Sequence, residues 1–330
     1  MFKCIKYIHN FMTIKHLVLS GGGSILLQYL GILQYLNKKE FWSLDQIESI
    51  FAVSAGAFVS VILCLGYDWE TVNQYMIERP WRDVFKLKPK QIIDAYCKKG
   101  LYDKKIIETA LKPLLEAKDL SLKITLKEFY DFSKIKLHIF TFELNSFKTI
   151  EINHETNPDL SLISVIAMSA ALPGLFMPIC IEDKCYIDGG VMTNYPLSFC
   201  LEHHQDKEEI LGLNYCICKT SDNDNTDNTD TNTNNTNTNN KNNITEDSTI
   251  LDFIIGFSVN AMNFITNNVK TQPIPYEIVC ELNESPVSFG YINHILYSME
   301  QRKTLIEKGY EIGETFLSSY SSSTSSSPSL

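Results

Sequence analysis

Ile47-Glu48-Ser49-Ile50-Phe51-Ala52-Val53-Ser54-Ala55-Gly56-Ala57-Phe58-Val59-Ser60 is the stretch from which the rest of this chain can be read. Its first half is apolar with β-branched residues, the composition of a strand buried on both faces of a parallel sheet. Its second half is small and apolar and can start a helix. One hydroxyl, Ser54, stands at the junction, with Ala52 before it and Gly56 after it. Small residues at those two offsets let the chain turn sharply, and such a turn presents the Ser side chain at the carboxyl end of the strand. The pattern Ala-x-Ser-x-Gly departs by one methyl group from the nucleophile elbow Gly-x-Ser-x-Gly. A Ser at the entry to a helix also serves as an N-cap, so the elbow alone leaves both roles open.

Upstream, residues 16–20 form a short apolar strand, followed at once by Gly21, Gly22 and Gly23 and then by a largely apolar helix over 24–36. A strand, a glycine run and a helix aim backbone N–H groups at one spot, where the helix dipole also favours negative charge. A P-loop needs Gly-Lys-Ser/Thr, which is absent. A dinucleotide fingerprint needs a third glycine where Leu26 stands. An oxyanion hole needs only donors and close approach.

Downstream, the elbow helix runs over 55–65 with Gly66 as its C-cap signal. Residues 68–118 read as mostly helical, with breaks at Pro80, Pro89 and Gly100. Strands are expected over 136–143 and 148–152, with a turn at Asn145-Ser146. A helix over 160–172 begins after Asn157-Pro158-Asp159 and ends at Pro173-Gly174. Short strands are expected over 176–181 and 185–187, the second running into Asp188-Gly189-Gly190. A helix over 196–204 and a strand over 210–218 follow. Residues 219–243 are nearly all Asp, Asn and Thr and cannot bury enough surface to offset ordering entropy, which predicts a disordered insertion. Beyond it come a helix over 250–269, a strand over 276–282, one final amphipathic helix over 292–317 and a Ser-rich tail, 318–330, expected to be disordered. The resulting division is an N-terminal tail, 1–15, a core, 16–218, the insertion, and a C-terminal α/β part, 244–317, of the same domain.

Composition narrows the function. The 330 residues are 44% hydrophobic and 21% charged, enough to bury a sizeable core. A net charge of −10 argues against a general nucleic-acid binder, whose affinity comes from neutralising phosphates. The nine scattered cysteines show no Cys-x-x-Cys pair and point to a reducing compartment. A zinc site could be drawn from Cys200, His203, His204, Cys216 and Cys218, but that spacing matches no known ligand pattern. No signal-peptide core or membrane-spanning run is apparent, so a cytoplasmic protein that meets membranes from the water side is expected. Residues 79–105 carry nine Lys or Arg against three Asp, a net +6, with Trp81, Phe85, Tyr96 and Tyr102 between them. That segment is either a solvated face with ordinary core aromatics or a peripheral contact with anionic lipid.

Five motifs in order resemble the patatin-like phospholipase family over about residues 16–201: Leu19-Ser20-Gly21-Gly22-Gly23, Tyr29-Leu30-Gly31-Ile32-Leu33, Val53-Ser54-Ala55-Gly56-Ala57, the run from Ser169 to Pro178, and Tyr186-Ile187-Asp188-Gly189-Gly190 continuing to Pro196. The resemblance implies a three-layer α/β/α sandwich with a mainly parallel central sheet. It implies Ser54 as nucleophile and Asp188 as general base, with no histidine and no metal or other cofactor. It places the oxyanion hole at the N–H groups of Gly22, Gly23 and Ser24, with Gly21, Ala52, Gly56, Gly189 and Gly190 shaping the turns. The implied reaction is lipid acyl hydrolysis of phospholipase A type, through an acyl-serine. Three departures stand out. Ile25 and Leu26 occupy places where the family usually has a basic residue and then Gly, and Ala52 replaces the first elbow Gly. They favour, as an alternative, a relative that kept the fold as a lipid-binding or interaction module. A Ser-His-Asp α/β-hydrolase built on Ser54, Asp188 and one of His203, His204 or His294 is a further alternative.

Overall fold

The computed structural model describes residues 13–217, 244–246, 248–268, 272–283, 285–287 and 289–324. Ten strands are present among them: β1 (His16–Leu19), β2 (Ser49–Val53), β3 (Gly100–Tyr102), β4 (Lys136–Glu143), β5 (Lys148–Ile152), β6 (Gly174–Phe176), β7 (Ile179–Ile181), β8 (Lys184–Asp188), β9 (Ile210–Ile217) and β10 (Tyr276–Leu282). The helices are α1 (Leu26–Lys38), α2 (Ala55–Cys64), α3 (Trp69–Glu78), α4 (Trp81–Val84), α5 (Pro89–Lys98), α6 (Lys105–Glu116), α7 (Leu126–Ser133), α8 (Leu162–Ser169), α9 (Leu197–His203), α10 (Ile250–Asn268), α11 (Phe289–Tyr297) and α12 (Met299–Thr324).

Strands β10-β9-β1-β2-β4 lie side by side and parallel, and β8 and β7 extend the sheet antiparallel. Every residue of β1 and β2 is buried, as the apolar runs require of strands covered on both faces. Side chains alternate across the sheet. Leu17, Leu19, Ile50, Ala52 and Ile139 face the large core built with α1, α2, α8 and α12, while Val18, Phe51, Val53 and Phe140 face a smaller one closed by α9. Helix α12 crosses α1 at very short range. A Cβ on Gly31 would lie 2.0 Å from the Ile306 carbonyl oxygen and one on Gly309 2.1 Å from that of Gln28, so both positions exclude any side chain. The expected three-layer α/β/α architecture is therefore present.

Five expectations need correcting. The final helix is two helices: Ser298 interrupts it and caps α12 by accepting the Gln301 N–H at 3.0 Å. Helix α12 also continues into the Ser-rich tail as far as Thr324, because Tyr320 packs edge-on against Tyr276 with ring centroids 5.5 Å apart. The run 176–181 is two strands, since Pro178 offers no N–H to a ladder: β6 pairs with β3 and β7 with β8. Helix α8 stops at Ser169, ahead of Pro173, instead of reaching 172. The packed structure also starts before residue 16: Ile14 is fully buried and the Lys15 N–H donates to the Glu209 carbonyl at 2.9 Å. Residues 1–12 and 218–243, with most of the tail and the insertion, lie outside the described residues.

Candidate active site

Ser54 is delivered by the turn between β2 and α2. Its backbone sits at φ 51°, ψ −114°, a conformation costly for a residue with a Cβ. Two links hold it there: the Ser54 N–H donates to Ser169 Oγ at 2.8 Å, and Ser169 Oγ donates onward to the Phe140 carbonyl at 2.7 Å. Gly56 lets α2 begin against the end of β1, where a Cβ would lie 2.5 Å from the Leu19 carbonyl oxygen. The Ser54 side chain does not cap its own helix. It donates to Asp188 Oδ2 at 2.7 Å, so its hydroxyl is not spent as a helix cap.

Asp188 ends β8, opposite Thr141 of β4. Its Oδ1 accepts the Gly190 N–H at 2.7 Å, and its own N–H donates to the Ala171 carbonyl at 3.0 Å. Burial raises its pKa from 3.8 to about 7, against the pull of the Ser54 and Gly190 hydrogen bonds. A proton acceptor poised near neutrality is what general base chemistry at ordinary pH asks for.

The glycine run closes the third side. The Gly21 N–H donates to the Asn194 carbonyl at 3.1 Å and the Ile25 N–H to that of Gly22 at 3.2 Å. Ser24 is turned away: its N–H and its hydroxyl reach the Pro286 carbonyl at 3.4 and 2.8 Å. The N–H groups of Gly22 and Gly23 have no hydrogen-bond partner among the described residues, and both glycines line the same cavity as Ser54 and Asp188. Of the three expected donors, two are thus unengaged and the third is tied to a residue 262 positions away. The Ala52 methyl is accommodated, fully buried beside Leu19 in the β1–β2 pair. Ile25, where the family pattern has a basic residue, is buried, and Leu26, where it has Gly, gives the cavity an apolar wall.

The cavity has a volume of about 200 Å³ and is mostly hydrocarbon, with Phe58, Ile166, Leu172, Phe176, Met262 and Val287 among its walls. The basic segment supplies Trp81, Phe85 and Tyr102 to it, so those aromatics face inward. Arg302 also borders it, buried yet without a carboxylate partner among the described residues. Its guanidinium donates to the carbonyls of Ile77, Ile295 and Leu296 at the carboxyl ends of α3 and α11, where helix dipoles favour a cation. Sequence reading did not single out Ser169, Asn194 or Arg302 individually. Asn194 wedges between the two turns, where a Cβ on Gly21 or Gly190 would come within 2.6 or 2.7 Å of its Oδ1.

The histidines lie elsewhere. His16 and Ser49 are the first residues of β1 and β2, whereas Ser54 follows the last residue of β2. His204 stacks on His16 with centroids 3.5 Å apart, and His203 lies 5.0 Å from His138. The His16–His204 pair lies a five-residue strand, roughly 17 Å, from Ser54, while His138 and His203 pack on Phe51 in the middle of β2. His294 is exposed on α11 and does not line the cavity. Among the described residues no histidine reaches the Ser54–Asp188 pair. Of the Cys/His set drawn for zinc, Cys218 lies outside the described residues and the other four do not converge. Among the described residues the converging ligand atoms are those of His138, Glu151 and His203, and Glu151 already bonds both imidazoles at 2.5 and 3.4 Å. Cys64, Cys97, Cys180, Cys185, Cys200 and Cys280 form no disulfide.

Comparison with known proteins gives this geometry a context. A probable lipid hydrolase of invertebrate iridescent virus 6 is 27% identical over 195 residues, which cover 59% of this chain and 66% of the relative. That match spans just under two thirds of the relative's own length. An uncharacterized protein of Acanthamoeba polyphaga mimivirus is 23% identical over 90% of this chain and 91% of its own. Among solved structures, VipD from Legionella pneumophila shares the fold with a TM-score of 0.50 at 17% identity, over 93% of this chain and 67% of VipD. The patatin-like phospholipase profile matches residues 17–201, more than half of the chain and the part that carries both Ser54 and Asp188, so this protein belongs to the patatin-like phospholipase family.

Proposed function

We propose that the protein hydrolyses carboxylic esters of phospholipids or related acyl lipids with a Ser54–Asp188 dyad. The observation that carries this reading is the 2.7 Å hydrogen bond from Ser54 Oγ to the buried Asp188 carboxylate, at the wall of an apolar cavity fit for an acyl chain. Ser54 Oγ attacks the ester carbonyl while Asp188 takes its proton. The carbonyl oxygen becomes an oxyanion facing the N–H groups of Gly22 and Gly23, where fixed donors need no reorganisation. The tetrahedral adduct collapses, the C–O bond to the alcohol breaks, and Asp188 returns the proton to the leaving oxygen. Water then attacks the acyl-Ser54 ester with Asp188 again as base, releasing the fatty acid and restoring the hydroxyl. The acyl chain lies among the hydrocarbon walls, and the basic segment 79–105 brings the protein to an anionic lipid surface.

Turnover of a fluorogenic acyl ester tests the dyad. Ser54→Ala and Asp188→Asn are each expected to reduce it by about a thousandfold or more with the fold intact. The double variant is expected to cost little beyond either single change, because the two groups act as a unit. Full activity in Ser54→Ala would overturn the dyad, and a parent that turns over no ester would favour a binding module.

A further inference from the structure

Helix α10 is apolar on two opposite sides. Ile255, Val259 and Met262 form one stripe, buried with Ala95, Leu101, Leu172 and Leu175, and Met262 reaches the cavity. On the other side Ile250, Phe253, Phe257 and Phe264 are 60%, 53%, 68% and 69% exposed. At 100° per residue these four fall within about 60° of one another around the helix axis, and Phe253 to Phe264 span roughly 16 Å along it. Its single charged residue, Asp252, accepts the Thr249 N–H at 2.9 Å at the amino end, so the stripe itself carries no charge. Helix α5 repeats the pattern: Ala95 is buried in the same cluster while Ile92, Ile93 and Tyr96 are 54%, 77% and 85% exposed. Exposed apolar faces on this scale mark an interaction surface.

We infer that the outer faces of α10 and α5 dock on an anionic lipid membrane, with the phenylalanine stripe entering the headgroup zone. Three features select that occupant. Lys86, Lys88, Lys90 and Lys99 are exposed around α5 and have no carboxylate partner among the described residues, in a chain whose net charge is −10. Aromatic and aliphatic side chains on one helix face flanked by lysines are the pattern of an interfacial helix. Met262 of α10 lines the cavity that holds Ser54, and Ala95 of α5 packs in the same apolar cluster as Met262, so a lipid leaving the bilayer has a short apolar route to it. No helix among the described residues is long and apolar enough to cross a membrane, so this contact lies along the surface. The role of the surface in substrate delivery rests on the proposed lipid hydrolysis. Docking itself does not.

The test uses the full chain with Ser54→Ala, so that vesicles stay intact. Co-sedimentation is measured with phosphatidylcholine vesicles with and without phosphatidylserine. The parent is expected to sediment with phosphatidylserine vesicles and to be released by salt. Replacing Phe253, Phe257 and Phe264 together by Ser is expected to lower partitioning about tenfold or more, with an unchanged melting curve. Lys86→Glu, Lys88→Glu and Lys90→Glu together should remove only the phosphatidylserine-dependent part. In a separate variant, Phe257→Trp, emission should shift to the blue on vesicle contact, which reports insertion even if the triple variant folds poorly. Equal sedimentation by parent and phenylalanine variant, or no shift at residue 257, overturns the inference. So does a parent that ignores vesicles but elutes as a dimer that the phenylalanine changes dissociate, since the face would then join two copies. Vesicle binding without ester turnover in the Ser54 enzyme would sink the hydrolase reading and leave this one standing.

Discussion

Two carboxylates sit opposite neighbouring residues of β4, Asp188 opposite Thr141 and Glu151 opposite Phe140, yet they titrate on opposite sides of normal. Asp188 is wholly enclosed and has only a hydroxyl and one backbone N–H for company, so burial dominates and raises it to about 7. Burial pushes Glu151 up as well, but hydrogen bonds and charge from His138, with help from Asn153 and His203, outweigh it and hold it at about 2. Burial lowers the pKa of His138 itself, against the pull of the neighbouring Glu151. The sheet offers the same backbone support to both. Partners, not position in the strand ladder, make one group a proton acceptor and the other a permanent anion.

The comparison breaks most visibly in activity. Asp188→Asn removes the proton acceptor and should cost about a thousandfold in ester turnover, whereas Glu151→Gln should leave it within about threefold. If both changes are equally harmful, the functional distinction between the two acids is wrong. A pH profile sharpens it. With Asp188 as base, kcat/KM of the parent should rise through about pH 7 and level off above it.

Stability should separate the two acids with opposite signs. Asp188 has a raised folded pKa, so its contribution is full below about pH 4, declines as the unfolded chain ionises ahead of the folded one, and is gone above about 7. Asp188→Asn should therefore be more stable than the parent at pH 8, on the order of 3 kcal/mol relative to the same comparison at pH 4, read as denaturation midpoints. Glu151 has a depressed folded pKa, so its contribution is present above about 4.5 and disappears as pH falls towards 2. Glu151→Gln should cost on the order of 2 kcal/mol at pH 7, and that cost should shrink steadily as pH falls from about 4.5 towards 2. An Asp188→Asn chain that is less stable at every pH would show that the carboxylate is held by more than its hydrogen bonds.

The smallest effect belongs to the histidines. His203→Ala and His294→Ala should keep ester turnover within about twofold, because neither lines the cavity. A large loss in either, with the fold intact, would revive a histidine-dependent triad.

Much of the site was legible because its parts are local. A strand followed by a glycine run, a strand followed by Ala-x-Ser-x-Gly and a strand ended by Asp-Gly-Gly each declare their backbone geometry within about ten residues. Element limits slipped where a local rule met a distant partner: Tyr276 extends α12 into a Ser-rich tail, and Arg302 gathers carbonyls from α3 and α11 on either side of a Ser298 break. The aromatics of 79–105 illustrate the same limit. Composition could not sort Trp81, Phe85 and Tyr102, which face the cavity, from Tyr96, which faces outward.

By itself the sequence determined which turns stand at the strand ends and which candidate residues they present, because φ/ψ preferences, small-residue tolerance and side-chain alternation act over a few neighbouring residues. Only the tertiary structure decided that Ser54 and Asp188 meet across 134 positions, that Ser24 gives its N–H to Pro286, and that no described histidine reaches Ser54. Only it set the pKa of Asp188, since the enclosing apolar walls come from segments spread from α1 to α12. Desolvation and long-range hydrogen bonds depend on where the chain returns to, and that is a property of the packed whole.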